Sequence, residues 1–377
     1  MKIVYLDNAA TTPLSPIALE TMEQYLTHEF YNPSANYDPS YKIRNVLQGC
    51  RETIASTIGC EPTEIYFTSG GTESDNWALR FVKPGQHIIT SQIEHHAILN
   101  TCKYLETKGV KVTYVSVDSK GHIDLAEFEA AIEPNTTLAS IMLANNEIGT
   151  IQDIRKLADI AAKHNVVFHT DAVQAYGHVN IDVNSMGIDM LSASAHKFNG
   201  PKGVGFLYVS NRIPLSPMIF GGSQQFGKRA GTENIPGIVG MAKAAELAHE
   251  NMIDKNQYIY DLRNLFEKRI MSEIPDIFVN GSDVSKLVNN LNVSFAGIRG
   301  EQLLELLSMY GICASTGSAC NSSSSEPSYV LKAIGLTDEE ANSSVRFTLS
   351  ANNTEEEINY TVDSLKQCVE DLRSINE

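Results

Sequence analysis

Residues 190–203 read Met190-Leu191-Ser192-Ala193-Ser194-Ala195-His196-Lys197-Phe198-Asn199-Gly200-Pro201-Lys202-Gly203, an apolar run that meets a lysine and then a glycine-rich turn. Lysine is rarely buried without a task. An amine directly behind a buried strand is therefore a functional candidate, although an exposed turn lysine would read the same way by itself. Outward from this stretch, short apolar runs at 65–68, 87–91, 111–117, 138–143 and 166–170 alternate with amphipathic helical stretches, and 203–209 adds a strand after the turn. Such alternation predicts an α/β domain around a mostly parallel sheet, over residues 15–254.

In open α/β sheets, ligands gather beyond the carboxyl ends of the strands. The run at 65–68 is followed by Ser69-Gly70-Gly71-Thr72-Glu73-Ser74-Asp75-Asn76 and a helical Trp77-Ala78-Leu79. Two glycines entering a helix expose backbone N–H groups at the positive end of its dipole, which suits a phosphate. The other ends carry Glu94-His95-His96, Asn145-Asn146-Glu147-Ile148-Gly149 and His169-Thr170-Asp171-Ala172-Val173-Gln174. Singly, these read as a capped turn, a structural imidazole, a turn amide and a buried carboxylate needing a partner. Together with Lys197 they supply an anion site, an imidazole, an amide, a carboxylate and an amine. A pyridoxal-phosphate site needs that set: the amine joins the aldehyde, and the carboxylate keeps the ring nitrogen protonated.

The chain has 377 residues, which favours two domains with a sizeable interior. Acidic residues outnumber basic ones 45 to 29, for a formal charge of −16. That balance disfavours direct contact with nucleic acid or anionic lipid. No apolar run is long enough to span a bilayer. Met1-Lys2-Ile3-Val4-Tyr5-Leu6 is too short for a signal peptide and reads as a first strand. The cysteines at 50, 60, 102, 313, 320 and 368 form no CxxC pair and no zinc spacing, so reduced thiols in the cytoplasm and no metal are expected. Beyond about residue 254 the rhythm changes to a helix over 254–273 and then a smaller unit. Its last helix opens on the capping box Thr354-Glu355-Glu356-Glu357, with Ile358, Val362, Leu365, Val369 and Leu372 as one buried stripe.

The chain resembles the cysteine desulfurases of the NifS/IscS-like group, within the class V aminotransferase-like enzymes. The likeness runs nearly end to end. It rests on the strand-end motifs above, including Ser194-Ala195-His196-Lys197. It rests also on Tyr5-Leu6-Asp7-Asn8-Ala9-Ala10-Thr11-Thr12, Arg229-Ala230-Gly231-Thr232-Glu233-Asn234, Gly317-Ser318-Ala319-Cys320 and Val345-Arg346-Phe347. The resemblance implies the PLP-dependent transferase fold of type I, with a seven-stranded sheet in the large domain. It implies a small domain of residues 1–14 and 255–377 that carries a catalytic cysteine loop. Lys197 would hold pyridoxal 5′-phosphate, His95 would stack on the ring and move protons, and Asp171 and Gln174 would meet the ring nitrogen and hydroxyl. Gly71, Thr72, Ser194 and His196 would bind the phosphate, and Thr232 would reach the phosphate of the neighbouring subunit in a homodimer. Asn146 and Arg346, with Asn8 and Ala9, would bind the substrate, Arg because its planar fork suits a carboxylate. The implied reaction takes sulfur from L-cysteine, leaves L-alanine and a persulfide on Cys320, and passes the sulfur to an iron–sulfur scaffold or a tRNA-thiolating enzyme.

Cys320 separates this reaction from transamination, which the same cofactor residues would also serve. It lies between Gly317-Ser318-Ala319 and Asn321-Ser322-Ser323-Ser324-Ser325-Glu326-Pro327. Small and hydroxyl residues cannot fill a core, so a mobile surface loop with an exposed thiol is expected. Cys102, Cys313 and Cys368 read as buried structural residues and Trp77 as core. An aminotransferase, a selenocysteine lyase and a non-catalytic binding member are the competing readings, the last opposed by the intact Lys197 and Cys320. Two stretches depart from the family pattern. Tyr37 replaces a histidine, with Ser40 in place of a glycine, and Gly221-Gly222-Ser223-Gln224-Gln225-Phe226-Gly227 lacks the usual third glycine and following glutamate.

Overall fold

The computed structural model of the protein describes residues 3–317 and 326–376. Its strands are Val4–Tyr5 (β1), Ile65–Thr68 (β2), His87–Ser91 (β3), Lys111–Val115 (β4), Thr136–Ser140 (β5), Val167–Asp171 (β6), Met190–Ser194 (β7), Gly205–Val209 (β8), Ile277–Asn280 (β9), Asn290–Phe295 (β10), Ile312–Cys313 (β11) and Ser344–Thr348 (β12). Seven of them form one sheet in the order β2-β8-β7-β6-β5-β3-β4. Only β8 runs antiparallel to its neighbours β2 and β7; the rest pair in parallel. β3, β7 and β8 are buried at every position, as strands covered on both faces must be. The strand order reverses between β3 and β5. Crevices open at such switch points, beyond the carboxyl ends of the strands.

Helices cover both faces. Trp77, Ile98 and Cys102, on the helices Gly71–Leu79 and His96–Glu106, pack on one face, and Trp77 Nε1 donates to the Ser216 carbonyl at 2.8 Å. The other face packs against Ile54 of the helix Asp38–Ile58, Leu157 of Ile154–Lys163 and Met241 of Ile235–His249.

A second apolar cluster joins Val4 and Leu6 to residues between Ile259 and Leu372. It surrounds the antiparallel sheet β12-β10-β9 and the parallel pair β1-β11, so the first strand does pack with the last third of the chain. The final helix, Glu355–Asn376, starts on the expected capping box. The Glu357 N–H donates to Thr354 Oγ1 at 3.2 Å, and the Glu357 carboxylate accepts from the Thr354 N–H at 3.3 Å. Ile358, Val362, Leu365, Cys368, Val369 and Leu372 all lie in the core. Cys313 does not: it is exposed, because β11 pairs through two residues with β1 alone. Among the described residues no helix is long and apolar enough to cross a membrane.

Candidate active site

β7 ends at Ser194 and turns sharply through Ala195–Lys197. The turn is tight because Gly200 sits against it; a Cβ there would stand 2.8 Å from Ala195 Cβ. The N-terminal strand's continuation is laid over this turn. Thr12 N–H donates to the His196 carbonyl at 2.9 Å, and Asn199 N–H to Thr12 Oγ1 at 2.8 Å. The Lys197 ammonium consequently meets the carbonyls of Ala9 and of Ala10, the latter at 2.9 Å. Gln174 Nε2 donates to the same Ala9 carbonyl at 3.0 Å.

These groups line a cavity of about 650 Å³. Gly71, Thr72, His95, Asn146, Asp171, Gln174, Ser194, His196, Lys197, Ala9 and Arg346 all border it. They come from the ends of β2, β3, β5, β6 and β7, the crevice the strand order opens, from the N-terminal segment, and, for Arg346, from β12 of the smaller antiparallel sheet. At the end of β2, Gly70 adopts φ +148°, ψ −176°, a conformation open to glycine alone. A Cβ on Gly71 would stand 2.6 Å from Val173 Cγ2. Both glycines bring the backbone of the helix start, uncovered by any Cβ, up to the cavity. Glu73, in the helix's first turn, is engaged by Arg229 Nε at 2.9 Å and by the Ser69 N–H at 2.8 Å.

Burial sets the protonation states. It pushes the Asp171 carboxyl up to about 6, against the Val173 N–H at 2.8 Å and the nearby Lys197 charge. It brings the His95 imidazole down to about 4, helped by the Lys197 charge, so the ring is neutral. His95 also caps its helix, since Nδ1 accepts from the Ala97 N–H at 3.1 Å. The neutral ring must then carry its proton on Nε2. His196 is held neutral in the same way, down to about 4, with Nδ1 3.1 Å from Thr11 Oγ1. Arg346 is buried; Nη1 donates to the Asn146 carbonyl at 2.8 Å and Nη2 to Asp7 Oδ1 at 2.7 Å. Its Nε has no hydrogen-bond partner among the described residues.

Two expected members stand apart. Asn8 gives Nδ2 to the Thr348 carbonyl at 2.8 Å and borders a neighbouring cleft of about 480 Å³ rather than this cavity. Thr232 is exposed and does not line the cavity of its own chain. Cys320 lies outside the described residues; Gly317, three positions earlier, lines the cavity. Among the described residues no cluster of His, Cys, Asp and Glu could hold a metal ion. Tyr37 precedes the helix Asp38–Ile58 with its ring edge-on to Tyr31, away from the cavity. The sequence reading missed Asp7, which orients Arg346, and Asp75, which lines the cavity. Both sit inside quoted motifs, where an aspartate looks like a turn or helix-dipole residue.

Over residues 4–361 the chain matches the family described as Aminotransferase class-V. The cysteine desulfurase IscS of Clostridium botulinum (strain Hall) is 48% identical to it, covering 100% of this chain and 96% of that protein. The cysteine desulfurase IscS of Methanosarcina thermophila is 47% identical, over 100% and 94%. A solved NifS-like protein superposes with a TM-score of 0.93 at 39% identity, covering 98% of this chain and 100% of that one. The structure described as SspA in complex with cysteine reaches 0.82 at 39% identity, over 93% and 99%. With likeness of this depth along its whole length, the chain belongs to the aminotransferase class-V family.

Proposed function

We propose that this chain is a cysteine desulfurase that holds pyridoxal 5′-phosphate on Lys197 and collects the sulfur of L-cysteine on Cys320. The residues present fit that cofactor. The bare backbone at Gly70 and Gly71 leaves room for a phosphate at a helix start. Asp171 is a buried carboxylate beside the same cavity, and Lys197 supplies the amine. Bound there, the cofactor supplies an electron sink that loosens the substrate's Cβ–S bond.

In this reading Thr72, Ser194 and His196 hold the phosphate, with Thr232 reaching the phosphate of a second copy of the chain. Asp171 would accept from the protonated ring nitrogen, and Gln174 would meet the ring hydroxyl. Arg346 and Asn146 bind the substrate carboxylate, and Arg346 Nε is a buried donor that such a group can satisfy. His95 would face the ring with its Nε2 proton, and Lys197 Nζ would be the amine that moves a proton at the substrate α-carbon. The Cys320 thiolate attacks the substrate sulfur. A sulfur–sulfur bond forms as the Cβ–S bond breaks, and the carbon takes up a proton to give L-alanine. Residues 15–254 form the cofactor domain, and 1–14 with 255–377 the unit that carries Cys320. The five described cysteines are free thiols, in keeping with a cytoplasmic enzyme. The persulfide passes to an acceptor protein, an iron–sulfur scaffold or a tRNA-thiolating enzyme.

One observation carries the choice of desulfurase: Gly317 borders the cavity that Lys197 borders. Three residues of chain span at most about 10 Å, so in this reading the sequence position of Cys320, three residues after a cavity-lining glycine, supports it as the sulfur acceptor. The test is Cys320→Ala. It should keep the cofactor's absorption band and lose sulfur transfer to an added acceptor. Transfer at the parent rate would remove Cys320 from the mechanism.

A further inference from the structure

Asp75 has no part in the reading above, yet it lines the same cavity as Asp171 and Lys197. It lies one turn inside the helix that starts at Gly71 and is 1% exposed. Its Oδ1 has no hydrogen-bond partner among the described residues, and His169 Nε2 stands off at 3.8 Å. The Ser192 hydroxyl bonds to this carboxyl, and Ser192 pairs across the sheet with Asp171 itself. Imidazole does not supply the missing charge. His169 is fully buried between Ser140 Oγ at 2.8 Å and Ser192 Oγ at 3.0 Å, and burial keeps it neutral.

Asp75 and Asp171 thus border one cavity; the cation that acts on Asp171 is Lys197, while the other charged groups on the lining are turned elsewhere, Arg346 to Asp7 and Glu73 to Arg229, and Lys202 lies at its edge. Like charges so placed cannot both ionise. Burial and the Asp171 charge both favour the acid form of Asp75, and Glu94, from the turn after β3, pushes the same way. A carboxylic acid kept neutral in an apolar site is a hydrogen-bond donor.

We propose that Asp75 is a second carboxyl of the site, held as a neutral acid behind Asp171, whose O–H keeps Asp171 an anion toward the ring nitrogen. It is a positioning residue, and the inference rests on the proposed cofactor site. The pair carries one proton. With the ring bound that proton stays on Asp75, and the ring nitrogen's own proton is donated to Asp171.

The test uses purified holoenzyme without cysteine. Asp75→Asn keeps the shape and an N–H donor; Asp75→Leu keeps the size and removes the donor. The readouts are the rate of cofactor loss on dilution and the pH midpoint of the cofactor's absorption band. Asp75→Asn should match the parent on both. Asp75→Leu should lose cofactor about tenfold faster and shift the midpoint, as a buried anion deprived of a donor requires. Infrared difference spectra at neutral pH should show one protonated-carboxyl band present in the parent and missing from Asp75→Asn; this arm decides the matter even if Asp75→Leu fails to fold. The proposal is overturned if Asp75→Leu matches the parent, if Asp75→Asn is as impaired as Asp75→Leu, or if no such band is lost. A parent chain that takes up no cofactor overturns the proposed function as well; a parent that binds it normally confines the failure to Asp75.

Discussion

His169 shows how burial turns a titratable side chain into a neutral one. Both ring nitrogens are engaged by serine hydroxyls, and the imidazole is brought down to about 3 by its surroundings. A depressed imidazole contributes stability that is present above its unfolded value near 6.5 and is lost as pH falls through the folded one. In that window the unfolded chain binds one proton more, which costs about 1.4 kcal/mol per pH unit. His169→Gln keeps hydrogen-bonding groups near both serines and removes the titration. Melting temperatures of the purified protein from neutral pH toward acid should fall more steeply in the parent than in the variant. Equal slopes would mean that His169 is already charged in the fold. At this scale the sequence was informative where residue type and strand end coincide, as at Lys197, Asp171 and His95. It was silent on Asp7, whose meaning depends on Arg346, 339 positions away. Asp75 was equally hidden, because nothing local tells a buried helix aspartate from a surface one.

Among the elements, the strands were readable because apolar runs bounded by turns mark them, and all seven of the large sheet stand within three residues of their expected places. Their order and the reversed direction of β8 depend on pairing, which no local pattern carries. β1 and β11 are two residues each, too short for periodicity, and the exposure of Cys313 follows from that brief pairing. The segment 221–227 has a structural account. Gln225 and Phe226 take φ +46° and +57°, which drives the Gln225 side chain inward. Gln225 Oε1 accepts from Arg51 Nη2 at 2.9 Å and from the Phe67 N–H at 3.0 Å. The Arg51 guanidinium stacks on Phe67 at 4.9 Å and on Phe226 at 4.8 Å, while Gln225 Nε2 is buried without a partner among the described residues. Gln225→Glu replaces that orphan with a charge facing Arg51. It should stabilise the fold by about 1–3 kcal/mol, read by denaturant unfolding. A loss of stability would show that burying the second charge outweighs the pairing.

For the whole molecule, the switch point between β3 and β5 gathers the site, and the cluster holding Val4, Leu6 and Leu372 closes the N-terminus over it. Thr232 lies outside the cavity of its own chain, and the proposed reading assigns it to the phosphate site of a second copy. Sedimentation of the purified protein should therefore give a dimer, and a monomer with full activity would remove Thr232 from the phosphate site. The most direct measurement is mass spectrometry of the digested protein after a brief exposure to L-cysteine, with the amino-acid product analysed alongside. The expected result is a Cys320 peptide heavier by one sulfur atom, formed in step with L-alanine. An unmodified Cys320 peptide alongside accumulating pyruvate, or sulfur carried on another cysteine, would contradict the proposed route.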